Sequence, residues 1–106
     1  LKQNQNDSLE FSKIIGRLYF EKKDHHNLAL KMCTYFLDFV RTRYLIKTST
    51  LDDVFIKQLS GKSGYPEDLT ADIVENIKRI QSTNKMNEAS LGVLYHQFQN
   101  FYKTVS

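Results

Sequence analysis

The sequence predicts an all-α fold, a compact bundle of about five helices with a long central second helix. Three observations predict it. Apolar residues recur at steps of three and four along almost the whole chain, the spacing of helix faces. One proline and four glycines fall mostly between those periodic stretches, where they punctuate helices. No segment alternates polar and apolar residues for long enough to make a strand.

The elements follow in order. After a polar start over residues 2–6, Asp7 precedes Glu10 by three positions, a capping-box spacing that opens a first helix. Leu9, Phe11, Ile14, Ile15 and Leu18 give it one broad apolar face. Gly16 within it costs about 1 kcal/mol relative to Ala, which marks a close approach by a neighbour. The Lys22-Lys23-Asp24 run ends this helix and begins the next, with Asp24 as N-cap at the positive end of the dipole. Leu28, Met32, Phe36, Phe39 and Val40 then repeat at helical steps, widened by Ala29, Cys33 and Leu37. That pattern lasts to about Tyr44, a helix on the order of 30 Å long. So wide an apolar face suits a central helix.

Thr48-Ser49-Thr50 reads as a loop, and Thr50 with Asp53 has the N-cap and N3 spacing for a short third helix. Leu51, Val54, Phe55 and Leu59 line it, and the Ser60-Gly61 to Ser63-Gly64 stretch breaks it. Pro66 suits the first turn of a fourth helix, with Glu67 and Asp68 favouring its N-terminal dipole. Leu69, Ile73, Ile77 and Ile80 form its stripe. Past a polar stretch, Asn87 caps a fifth helix carrying Leu91, Leu94, Tyr95, Phe98 and Tyr102. The domain boundaries are residues 1–7 as a disordered or linker start, 8–103 as one helical domain and 104–106 as a tail.

Composition agrees with one core. A chain of 106 residues with 41% apolar and 25% charged residues is an ordinary folded domain with no room for a second. Cys33, the sole cysteine, has no disulfide partner and no zinc cluster around it, which fits a reducing, cytoplasmic compartment. Apolar runs are only a few residues long, too short to span a bilayer or act as a signal peptide. The chain begins at Leu1 rather than Met, so it is expected to be a piece of a larger protein. Residues 1–50 hold nine Lys/Arg against five Asp/Glu, whereas residues 51–106 hold six against seven. The first half therefore carries +4 and the second −1 of the +3 formal charge. It reads as a solvated surface or as a face toward an acidic or phosphate-rich partner.

Few residues suggest chemistry. Asp24-His25-His26 contains two imidazoles, but neighbours on a helix point about 100° apart and do not converge on one ion. Cys33 sits inside an apolar stripe, where a thiol behaves as a small hydrophobe, and His96 lies among aromatics on another helix. Gly61-Lys62-Ser63 echoes a phosphate-binding loop without its earlier glycine or its strand. No cofactor, metal or catalytic residue is expected, and no enzymatic activity. Residues 51–81 have the outline of a helix-turn-helix, the basis of an alternative nucleic-acid-binding function. Their second helix, however, bears Glu67, Asp68, Asp72 and Glu75, which repel phosphates. Gly16, Tyr19 and residues 24–30 also echo one tetratricopeptide repeat, but no copy follows about 34 residues later. Arg41, Arg43 and Tyr44, with Arg17 and Tyr19, are better candidates for recognition. Arginine late in a helix steadies its dipole, and arginine beside tyrosine is common at binding surfaces.

The blocks Gly16-Arg17-Leu18-Tyr19-Phe20, Lys23-Asp24-His25, Phe36-Leu37-Asp38-Phe39-Val40-Arg41-Thr42-Arg43-Tyr44 and Leu51-Asp52-Asp53 carry a resemblance. With Lys62-Ser63-Gly64, Pro66-Glu67 and the Phe101-Tyr102 ending, it spans about Ser8 to Tyr102. The chain resembles the cytoplasmic C-terminal helical region of an uncharacterised family of bacterial membrane-anchored proteins. These have an extracytoplasmic domain of unknown function and a transmembrane helix ahead of it, and are often encoded beside MoxR-type AAA+ ATPases. Tyr65 stands where that pattern leads one to expect a smaller aliphatic residue. The resemblance implies a non-enzymatic docking module on the cytoplasmic side of the inner membrane. Its expected partner is a protein, such as an AAA+ ATPase or a neighbouring membrane protein, with no small-molecule substrate. Arg17, Tyr19, His25, Arg41, Arg43 and Tyr44 form the candidate interaction surface.

Overall fold

The computed structural model describes residues 24–105 together with Glu10, Lys13, Ile14 and Arg17. Those four positions are helical and exposed. The rest of the expected first helix lies outside the described residues, including Asp7, Leu9, Phe11, Ile15, Gly16 and Leu18. So do the linker at residues 1–7 and Tyr19. Four helices occupy 24–105: α1 (His25–Tyr44), α2 (Asp53–Ser63), α3 (Glu67–Gln81) and α4 (Glu88–Val105). The count among the described residues is thus four rather than about five, because most of the expected first helix lies outside them. No strand occurs among them.

Capping explains most of the boundaries. The Asp24 carboxylate accepts from the Asn27 N–H at 3.4 Å and so opens α1. At the start of α4, Asn87 accepts from the Ser90 N–H at 2.8 Å. The cap of α2 corrects the sequence expectation. Asp52, not Thr50, accepts from the Phe55 N–H at 3.0 Å. A carboxylate there meets both the open N–H and the positive helix end, an advantage a hydroxyl lacks. The helix also runs through Ser60-Gly61 to Ser63 rather than breaking there, and Gly64 stops it with φ of 81°. Pro66 is the N-cap of α3 rather than part of its first turn, while Glu67 and Asp68 do occupy that turn. Finally, α4 continues to Val105, beyond the expected domain end at 103.

Like α3, helix α1 is in contact with all three of the others. Its Leu28, Ala29, Met32, Cys33, Phe36 and Val40 are buried, as the stripe predicts. Phe36 stacks on Phe98 of α4 with centroids 4.7 Å apart and meets Phe101 edge-on at 5.1 Å, both favoured aromatic geometries. Tyr65 is buried against the edge of Phe101 at 5.1 Å, so its bulk fills the core between α2 and α4. Two stripe residues turn out differently. Leu69 and Val54 are 39% and 61% exposed, and α3 instead buries Thr70 and Val74 beside Ile73, Ile77 and Ile80. Thr70 is tolerated inside because its hydroxyl donates to the Pro66 carbonyl at 2.9 Å.

Candidate interaction surface at the end of the long helix

The C-terminal end of α1 gathers three of the six candidate residues. Asp38 and Thr48 flank Arg41, which donates to the Asp38 carboxylate one turn earlier and to the Thr48 hydroxyl at 2.6 Å. The guanidinium of Arg43 lies 5.8 Å from the Phe39 ring and 5.7 Å from the Tyr44 ring, within reach of cation–π attraction. Burial pushes the Tyr44 phenol above its usual pKa, and the neighbouring Arg43 charge partly offsets that. Lys62 of α2 donates to the Tyr44 carbonyl at 2.9 Å, covering one of the open acceptors at the helix end. Both arginines sit in the last turn, where their charge opposes the negative end of the dipole.

The other three candidates do not join this cluster. His25 is the first residue of a 20-residue helix, so about 25–30 Å of helix separates it from Arg43 and Tyr44. Arg17 is helical and exposed, and Tyr19 lies outside the described residues. The adjacent His26 is half-buried, and its Nε2–H donates to the Ile80 carbonyl at 3.1 Å, tying the start of α1 to the end of α3. That contact uses the ring structurally.

Other residues weighed for chemistry fall into structural places. Cys33 is 2% exposed, and burial pushes its thiol up to about 12. A thiol so protonated is a poor nucleophile, and His96 lies exposed on α4. Gly61-Lys62-Ser63 forms the last turn of α2, with Ser63 donating to the Leu59 carbonyl at 2.6 Å. Among the described residues, no three His, Cys, Asp or Glu side chains are grouped to hold a metal ion. None of the described helices is long and apolar enough to cross a membrane. All four carboxylates of α3, on Glu67, Asp68, Asp72 and Glu75, face solvent.

Next to the Arg43–Tyr44 cluster lies what sequence reasoning missed. Leu45 ends α1 in the left-handed region with φ of 58°, and its side chain is 81% exposed. Ile46 then turns back into the core. Leu45, Lys47, Asp52, Val54 and Lys62 share the wall of an open groove of about 430 Å³ between the α1–α2 loop and α2. A second hollow of about 290 Å³ between α3 and α4 is crossed by Asn76, which donates to Gln97 at 2.5 Å and accepts from Arg79 at 2.6 Å. The first of these bonds ties α3 to α4 and the second lies within α3, so the Asn76 amide is engaged structurally. A leucine immediately after a basic helix end was the available signal for the first groove, but residue type alone does not announce a positive φ.

No curated protein and no solved structure matches the chain. The family described as the DUF4350 C-terminal helical domain matches residues 12–105, from within the N-terminal segment to the last turn of α4. That span takes in every helix described above, and the chain belongs to this family of C-terminal helical domains.

Proposed function

We propose that this domain is a non-enzymatic docking module that binds a protein partner through the C-terminal end of α1. The observation that carries the reading is the cluster there, where exposed Arg41 and Arg43 stand beside half-buried Tyr44 on a rigid helix. Support also comes from the groups that chemistry would need. The Cys33 thiol is sealed in the core, and His26 is committed to a backbone carbonyl. The family resemblance extends the proposal: the module belongs to a larger membrane-anchored protein, on the cytoplasmic side of the inner membrane. An AAA+ ATPase or a neighbouring membrane protein is the partner it suggests.

Affinity capture from native membranes with the 106-residue chain tests this, comparing wild type with Arg43→Glu. The expected result is a protein recovered by wild type and lost with Arg43→Glu, because the charge reversal removes both ring contacts and the positive field. Recovery of the same proteins by both would overturn the assignment of the surface. Nucleic-acid binding is the competing reading, and it predicts a gel shift that weakens steeply with salt. The four exposed carboxylates on α3 argue against it. We expect no shift at low salt.

A further inference from the structure

Resting on the docking reading, we infer that the groove between the α1–α2 loop and α2 receives an acidic, amphipathic peptide segment of the partner, anchored on Leu45 and Val54. The two residues are the most exposed large hydrophobics among those described, at 81% and 61%, and they line the same groove. Leucine at position 45 is unfavourable for the fold, because it adopts a left-handed backbone that glycine or asparagine would take more readily, while its apolar side chain stands in water ready to be covered. A residue kept at a cost to the folded state is characteristic of a binding site.

Charge selects the occupant. Lys47 and Lys62 stand in the groove wall, and Arg43 lies two residues before Leu45. Among the described residues, neither Lys47 nor Arg43 has a carboxylate partner. Asp52 is the one acid among the groove's described lining residues, and its carboxylate is turned onto the Phe55 N–H at the positive end of α2. With two lysines against one aspartate, the charge that the groove turns to an incoming segment is net positive, and carboxylates beside aliphatic side chains complement it. A groove with protruding apolar knobs also suits a helix laid along it, its anchors spaced three or four residues apart.

The test is selection from a display library of short helical peptides, ranging from strongly acidic to strongly basic, against the whole 106-residue chain. Enrichment of acidic peptides with helically spaced aliphatic residues is expected. Their affinity should fall about tenfold or more with Val54→Asp, Lys47→Glu or Leu45→Gly, the scale of one lost anchor or charge pair. Leu45→Gly is the decisive variant, because glycine takes the left-handed backbone without strain, so the fold and its Tm should be kept while the peptide weakens. A folded protein of undiminished Tm that binds less tightly cannot be explained by misfolding. Peptides without acidic bias, or binding indifferent to these three changes, would overturn the inference and leave the docking module standing. The inference also falls alone if no peptide is enriched but the membrane protein captured by wild type is still lost with Arg43→Glu. If neither peptide nor partner binds, both readings fail. Leu45-dependent binding to phosphatidylserine vesicles without peptide binding would assign the groove to a lipid surface instead.

Discussion

Single residues in this domain carry separable energies. Asp52 is the N-cap of α2, so Asp52→Ala should cost about 1 kcal/mol in urea denaturation. Thr50→Ala should stay within about 0.5 kcal/mol, because Thr50 is exposed in the loop before the cap. Equal effects would return the cap to Thr50. Cys33 gives a pH dependence of definite sign. Its thiol titrates near 9 when the chain is unfolded and about 12 in the core, so above pH 9 the native state holds a proton that the unfolded state releases. Stability should be complete below pH 9 and fall as pH rises toward 12, by up to about 1.4 kcal/mol per pH unit for this group. The Tyr102 phenol, also pushed up by burial, adds to the fall at the alkaline end. Cys33→Ala should flatten the slope between pH 9 and 10, measured as urea midpoints, and an unchanged slope would show that the thiol is not the group responsible.

At the level of helices, the two glycines of α2 and its cap make opposite predictions. Gly61 is inside the helix, and a Cβ there meets nothing within 4 Å, so Gly61→Ala should stabilise by about 0.5–1 kcal/mol. Gly64 has φ of 81°, so Gly64→Ala should destabilise by about 1 kcal/mol despite equally open space. Thermal melts of the pair separate conformational strain from crowding. Much of this level was legible in the sequence. The caps at Asp24 and Asn87 follow from residue type and position, and the α1 stripe follows from spacing. Where legibility failed, local pattern met tertiary choice. Leu69 and Thr70 are neighbours about 100° apart on α3, and only the packing of α3 on its neighbours decides which turns inward. The arginine–tyrosine cluster was readable because Arg41, Arg43 and Tyr44 fall within one turn. His25 was grouped with them by resemblance, but helix length places it at the far end. Leu45 was not legible because its significance lies in a backbone angle rather than in its hydrophobicity.

For the molecule as a whole, α1 and α3 tie the bundle together, since each packs against the other three helices. Phe36 lies at the centre of that arrangement, fully buried among Phe98, Phe101 and Tyr102. Phe36→Ala should cost about 3–5 kcal/mol, a large share of the roughly 5–15 kcal/mol that holds a small domain folded. The loss should appear as one cooperative transition at lower denaturant, with near-ultraviolet and far-ultraviolet circular dichroism changing together. Separate transitions would show that α4 detaches on its own. The sealing of the only cysteine has a practical counterpart. Because Cys33 is shielded inside the bundle, a second cysteine placed on the groove rim, for instance Ser49→Cys, would be the single site open to maleimide dyes under native conditions. A fluorophore fixed there would report occupancy of the rim directly, without first stripping the protein of its natural sulfhydryl.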